Sequence, residues 1–245
     1  MNLRIASALW RTLLFQASWN YDRLVGVGMA HASEPLLRDL PGGRTGEPYR
    51  EAMCRATEFF NAHPYLGGMA VGAVARAEHD GLPGEQVRRL RHALIGPLGS
   101  VGDRLFWAGV LPAAVGLGLV VTATVSPLAG IVSFLVAYNA VHLAIRVWGL
   151  RAGWRSGPAI AQELTAGSIQ QGLRVVGPIA AIAVGFALPV VAEWLAEEFQ
   201  MRTRLSIGLV AALAIVFSRW IVPTFGTLRF GLAAAGFALV VGWLS

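Results

Sequence analysis

Ile95-Gly96-Pro97-Leu98-Gly99-Ser100-Val101-Gly102-Asp103-Arg104-Leu105-Phe106-Trp107 stands between a basic segment and a long apolar run. Glycine at every third position (Gly96, Gly99, Gly102) together with Pro97 disfavours a plain helix, so the residues themselves predict a break. Asp103 and Arg104 then sit at the mouth of the apolar run. In a soluble protein this is an ordinary loop. At membrane depth, irregular backbone beside ionisable groups lines a cavity or a ligand path. The setting therefore decides the reading.

Composition supplies the setting. The chain has 245 residues, 55% hydrophobic and only 14% charged, with mean hydropathy +0.57. Soluble domains carry about 25% charge, so the chain reads as an integral membrane protein. Its formal charge is +6 and it contains no lysine. The arginines lie scattered between apolar runs instead of forming a patch, which argues against nucleic acid and fits orientation by positive loops. Cys54, the single cysteine, excludes an intrachain disulfide and falls in no metal-ligand spacing. Neither a metal nor a cofactor signature occurs, and no GxSxG or Walker loop points to a self-contained enzyme.

The pattern predicts an all-α, polytopic membrane protein. Residues 1–104 form an N-terminal region of amphipathic and re-entrant helices, and residues 105–245 a transmembrane region, the two making one integrated unit. Helical periodicity runs roughly over 2–18, 20–38, 48–62 and 64–79, with turns at Pro41-Gly42-Gly43 and at His63-Pro64. Leu3, Trp10, Leu13, Leu14 and Ala17 share one face of the first helix, opposite Arg4, Ser7 and Arg11. Such a helix lies in the headgroup layer or packs on the protein body; a cleavable signal is not expected, because Arg4 and Arg11 break its apolar core. Tyr65 to Ala77 is apolar but shorter than the ~20 residues of a crossing, hence a re-entrant half-span or a buried core helix. A short basic helix with Arg88, Arg89 and Arg91 follows. Five apolar runs come next, about 105–125, 128–148, 174–192, 205–222 and 228–244. The first two are joined by a tight turn at Ser126-Pro127. Arg88, Arg89 and Arg91 before that hairpin and Arg151 and Arg155 after it place its ends in the cytoplasm, with the N-terminus cytoplasmic and the C-terminus extracytoplasmic.

Polar residues inside such a frame are candidates for function. Asn139, His142 and Arg146 fall on one face of the second run, where the amide of Asn139 needs partners and serves as interhelical glue or in a site. Arg146, near the cytoplasmic end, is expected to snorkel. Asn61 and His63, in Phe59-Phe60-Asn61-Ala62-His63-Pro64-Tyr65, both donate and accept hydrogen bonds, as recognition of a neutral polyol requires; helix termination is the plainer role. Gly96 to Asp103 offers an anion cradle or, more in keeping with a membrane, a discontinuous helix. Asp103 and Arg104 equally make an interfacial ion pair. Phe106 and Trp107 offer faces for a sugar ring or anchors at the interface.

Taken together, several of these segments resemble one family. Phe15-Gln16-Ala17-Ser18-Trp19-Asn20-Tyr21, Phe59-Phe60-Asn61-x-x-Pro64, Gly96-Pro97-Leu98-x-x-Val101-Gly102-Asp103, Tyr138-Asn139-x-x-x-Leu143-Ala144-x-Arg146-x-x-Gly149 and Thr165-x-Gly167-Ser168 occur in order. Over about residues 8–190 the chain resembles the IID component of the mannose/fructose/sorbose family of bacterial sugar phosphotransferase systems. The resemblance implies a bacterial inner-membrane subunit that pairs with a IIC subunit of inverted architecture, in a trimer of IIC–IID pairs. A hexose is translocated and phosphorylated by soluble IIA and IIB components, and the IID chain itself carries no phosphorylated residue. It also implies that Asn61, His63 and Asp103 stand near the sugar path and that the broken helix at Gly96, Pro97, Gly99 and Gly102 moves; with Trp107 and Asn139, singled out from the residues themselves, these make the expected substrate-binding positions. The chain departs from the family pattern at Gly99 and Ser100, at Arg104 in place of a proline or small residue, at His142 where arginine is common, at Ala166 where a glutamate is usual, and in a shorter segment after about residue 192. Arg104 and Ala166 motivate an alternative, a diverged subunit with a regulatory or scaffolding role and little transport.

Overall fold

The computed structural model of the chain describes residues 3–165 and 168–196. Helices α1 (Leu3–Thr12), α2 (Gly26–Leu37), α3 (Glu47–Thr57) and α4 (Gly67–His79) precede α5 (Gly84–Gly102). A π-helical segment, Asp103–Val110, joins α5 to α6 (Leu111–Thr124); α7 (Pro127–Ser156), α8 (Ile160–Thr165) and α9 (Ser168–Ala196) follow. Among the described residues the only extended pairings are the isolated bridges Asn20–Leu24 and Leu24–Phe60. Among the described residues, three stretches are long and apolar enough to cross a membrane: Gly84–Thr124, Pro127–Leu164 and Ile169–Val191. They take in the first three expected runs; the runs at 205–222 and 228–244 lie outside the described residues, as do Ala166 and Gly167.

The expected break at Gly96–Gly102 is not where the helix departs from α geometry. The chain stays helical from Gly84 through Pro97 to Gly102, and the basic helix and first span form one continuous 41-residue helix. Pro97 removes a single N–H, a loss that long helices absorb with modest bending. A Cβ on Gly96 or Gly99 would meet open space, whereas one on Gly102 would collide with the His63 side chain. Gly102 thus serves close packing. The relief comes one residue later, in the π register of Asp103–Val110, a geometry that recurs at functional sites.

Helix α4 reads Gly-Gly-Met-Ala-Val-Gly-Ala-Val-Ala at its start and is buried on every face there, as a helix apolar all round must be. It lies against α7, while α6 and α7 form the expected hairpin. Ser126 caps that turn, its Oγ accepting the Ala129 N–H at 3.2 Å. The core gathers Phe15, Met29, Phe60, Leu66, Met69, Leu94, Leu98 and Leu150.

The first helix ends at Thr12, earlier than its periodicity suggests, because Phe15 turns inward and is fully buried. Ala8 and Thr12 pack on the body while the apolar side stays open, with Leu3 86% and Trp10 72% exposed. Glu34 of α2 ties this helix down. Its carboxylate accepts from Arg11 at 2.8 Å, from Arg38 at 2.7 and 2.8 Å, and from Arg44 at 2.6 and 3.0 Å. These arginines, Arg38 foremost, hold its pKa down from 4.5 to about 2. A depressed carboxylate pKa gives stability that is full above 4.5 and fades as pH falls toward 2. Glu34→Gln should therefore lower the amide-exchange protection factors of residues 3–12 at pH 7, and those of the parent protein should fall toward the variant's only as pH drops toward 2. Equal protection in the two proteins at pH 7 would dismiss the tie.

Candidate functional site

The loop between α3 and α4 is held by Phe60, whose amide donates to Arg23 O at 3.2 Å and whose carbonyl accepts from Val25 at 3.1 Å. This fixes His63, only 3% exposed, against the π segment. The His63 ring stacks on Phe106 at 5.1 Å and 12°, and meets Trp107 at 5.1 Å and Tyr65 at 5.0 Å. Phe106 is buried and Trp107 47% exposed, so consecutive π-helical residues present one ring inward and one outward.

His63 Nδ1 accepts the Tyr65 N–H at 3.3 Å, which assigns the proton of the neutral ring to Nε2. That Nε2 is buried and meets no acceptor among the described residues. Burial pushes the imidazole down to about 4, opposed by the charge of Asp103 and aided by that of Arg146. At neutral pH the ring is therefore an uncharged donor without a partner. Leaving such a donor unmatched costs ~1–3 kcal/mol, so it marks a place where an acceptor is expected.

The rest of the cage comes from α7. Tyr65 and Tyr138 share a hydroxyl–hydroxyl hydrogen bond of 2.9 Å, and His142 stacks on Tyr65 at 4.7 Å and 15°. The Arg146 guanidinium lies 4.9 Å over the Tyr65 ring and donates through Nη1 to the Thr12 carbonyl at 2.6 Å. Arg146 Nε and His142 Nδ1 are further buried polar atoms without a hydrogen bond. Tyr138, His142 and Arg146 follow an i, i+4, i+8 row along α7.

Of the expected residues, the fold brings together His63, Asp103 and Trp107. Asp103 is exposed, close enough to act electrostatically on His63. Asn61 is exposed on the same loop. Asn139 donates its amide to Leu135 O of its own helix at 2.6 Å. Arg146 does not snorkel: it is 5% exposed and donates to the last carbonyl of α1, which also accepts the Phe15 N–H at 3.2 Å. Tyr65 and Tyr138 stand in the quoted motifs but were not among the expected site residues. The four-residue spacing of Tyr138 from His142 was the available signal.

Two membrane-length helices, α5–α6 and α7, packed on the buried small-residue helix α4, with a ring-lined cage holding unmatched polar atoms, define a helical membrane protein. The chain belongs to the IID components of the mannose/fructose/sorbose family of phosphotransferase systems, whose family model matches residues 2–236. The mannose-specific EIID component of Escherichia coli K12 is 30% identical over 174 residues, 68% of this chain and 60% of that protein. The fructose permease IID component of Bacillus subtilis is 28% identical over 207 residues, 79% of this chain and 74% of that protein. The sorbose-specific EIID component of Klebsiella pneumoniae is 30% identical over 186 residues, 71% and 67% of the two chains. The chain thus spans about 60% of the length of the E. coli mannose-specific relative. In fold it resembles a chain in the cryo-EM structure of the mannose transporter ManYZ with microcin E492, at TM-score 0.60 and 23% identity over 100% of this chain and 96% of that one.

Proposed function

We propose that this chain is the membrane IID subunit of a sugar phosphotransferase permease. It pairs with a IIC subunit, as trimers of such pairs in the bacterial inner membrane, with its N-terminus in the cytoplasm and its C-terminus outside. Soluble IIA and IIB components phosphorylate the hexose it helps translocate. Residues 1–104, with α4 as a re-entrant element, and residues 105–245 act as one unit. The observation that carries the substrate assignment is the buried His63 Nε2–H without an acceptor, beside the Asp103 carboxylate and the open face of Trp107. A hexose hydroxyl accepts from the first and donates to the second, and its C–H face stacks on the third. Asn61 adds a further hydrogen-bonding group at the mouth, and Asn139 stands near the path on α7. Gly102 and the π segment form the yielding part of the moving element, with Gly96, Pro97 and Gly99 on its flank.

The test is uptake of labelled hexoses in cells given this chain, a family IIC subunit and the soluble components. Accumulation of hexose phosphate is expected, and none across a panel despite membrane assembly would sink the reading. His63→Phe keeps the ring stack but removes the donor. It should raise the KM for uptake about tenfold, the worth of one hydrogen bond, at unchanged surface expression. An unchanged KM would remove His63 from the path. The alternative of a diverged, regulatory subunit finds no support in the cage, since Arg104 is exposed on the π segment.

A further inference from the structure

We propose that Arg146 is the positioning residue of the ring cage: braced on the end of α1, it fixes the Tyr65 ring, and Tyr65 in turn aims His63 at the ligand. Arg146 is buried on a membrane-length helix, where a charge is expensive and by default marks function. Among the described residues no carboxylate balances it. It meets instead the Thr12 carbonyl, 2.6 Å from Nη1, and the face of the Tyr65 ring, 4.9 Å from its central carbon. A guanidinium suits both, having donors along its edge and a delocalised charge that favours an aromatic face.

Tyr65 is where the contacts of the cage converge. Its hydroxyl bonds Tyr138, His142 stacks on its ring, and the ring meets Phe106 edge-on at 4.7 Å and 80°. Its N–H is also the donor to His63 Nδ1, at 3.3 Å. That bond is long for its kind, so a small displacement of Tyr65 loses it. The same bond orients the imidazole and leaves Nε2 as the donor that the sugar assignment uses. Three α7 side chains hold Tyr65, and among the described residues only Arg146 is hydrogen-bonded to a separate element. Through Thr12 it refers the ring to α1, which Arg11 ties to Glu34 of α2. A site is as precise as the residues that lock its rotamers, and here the lock is a cation that touches no ligand. The inference rests on the sugar assignment for its transport readout alone.

The experiment pairs hexose uptake with nitrogen NMR of the full chain, assembled with its IIC partner and labelled at the histidine rings. The His63 Nδ1 resonance, assigned by its loss in His63→Phe, reports whether that nitrogen accepts a hydrogen bond. Arg146→Met should abolish the bonded signal. It should also raise the KM for uptake about fivefold, part of the tenfold expected for losing the donor outright, with a smaller change in the maximal rate per assembled complex. A merely structural part would lower the number of assembled complexes and leave KM alone. Tyr65→Leu removes the ring but keeps the bond from Arg146 to Thr12, and it should raise KM to the same degree. The double variant should be no worse than either, because residues acting through one chain of contacts are not additive. If Arg146→Met does not assemble, Tyr65→Leu decides by the same two readouts. Additive effects on KM, or an unchanged Nδ1 resonance in the variant that assembles, would overturn the positioning role. Loss of the bonded signal in Arg146→Met, with no hexose taken up even by the parent, would uphold that role and sink the sugar assignment.

Discussion

Gly72→Leu should leave the chain unable to form a monodisperse particle in mild detergent, while Gly68→Ala, one turn earlier on the same helix, should run as the parent does. The two glycines look alike in the sequence and differ in what faces them. A Cβ on Gly72 would run into the Leu150 carbonyl and the Trp154 amide of α7. Across the contact, a Cβ on Gly153 would run into the Met69 carbonyl of α4. The helices therefore meet backbone to backbone, the arrangement that small residues allow in membranes. Overpacking against movable side chains costs ~1–3 kcal/mol. Here the obstacle is backbone of a long helix and cannot step aside, so the cost is expected to exceed that range and to take a large part of the ~5–15 kcal/mol that holds a fold together. At Gly68 the nearest atoms to a new Cβ are Leu150 Cβ and Thr12 Cγ2, both at 3.6 Å, which is ordinary contact. Fluorescence-detected size exclusion reads both variants. A normal peak for Gly72→Leu would mean that α4 and α7 are not in this contact. The consequence reaches the cage, because Tyr65 just before α4 and Tyr138, His142 and Arg146 on α7 are held together by the same pairing.

What the sequence made legible and what it hid follow one physical division. Periodicity and hydropathy are local, and they found the runs at 105–125, 128–148 and 174–192, the Ser126-Pro127 turn and the short apolar helix at 67–79. Order of motifs carried the family. Pro97 misled because local propensity favours a break, whereas a helix of this length keeps its hydrogen bonds wherever it can. The glycines around it looked equivalent, yet only Gly102 is crowded, by a histidine 39 residues earlier in the chain. Arg146 misled for the same reason. Its depth near a span end suggested snorkelling, while its partner, the Thr12 carbonyl, is 134 residues away in sequence. The Tyr65–Tyr138 hydrogen bond joins residues 73 apart, and no local pattern announces it. Candidate residues were thus readable by type, His63, Asp103 and Trp107 among them, but the cage that unites them is a product of tertiary contact.

Glu78→Gln should lower the thermal midpoint of the purified chain by about 10 °C, the shift that ~3–5 kcal/mol gives in a chain of this size. Glu78 and Arg55 are 9% and 8% exposed. They join α3 to α4 through a two-armed pair, Arg55 Nε to Oε1 at 2.9 Å and Nη2 to Oε2 at 2.7 Å. The hydrogen bond Arg55 donates to Glu78 is the foremost cause that raises the Arg55 pKa, and an arginine keeps its proton in proteins even when that partner is neutralised. Neutralising Glu78 leaves that charge buried with only the distant arm to Glu51, at 3.2 Å on an exposed side chain. Three comparisons separate this from a general effect of altering charge. Glu85→Gln breaks an exposed pair with Arg89 and should change the midpoint little, since such pairs are worth ~0–1 kcal/mol. Removing both buried partners together, Arg55→Met with Glu78→Leu, should recover much of the loss, because no unpaired charge remains. High salt should weaken the Arg89 pair and spare the Arg55 pair, which screening reaches poorly. If Glu78→Gln and Glu85→Gln shift the midpoint equally, the Arg55–Glu78 pair is not buried as described. The position of α3, and with it the loop that carries His63, would then rest on apolar packing and on the contacts of Arg88 and Arg91 with Glu58.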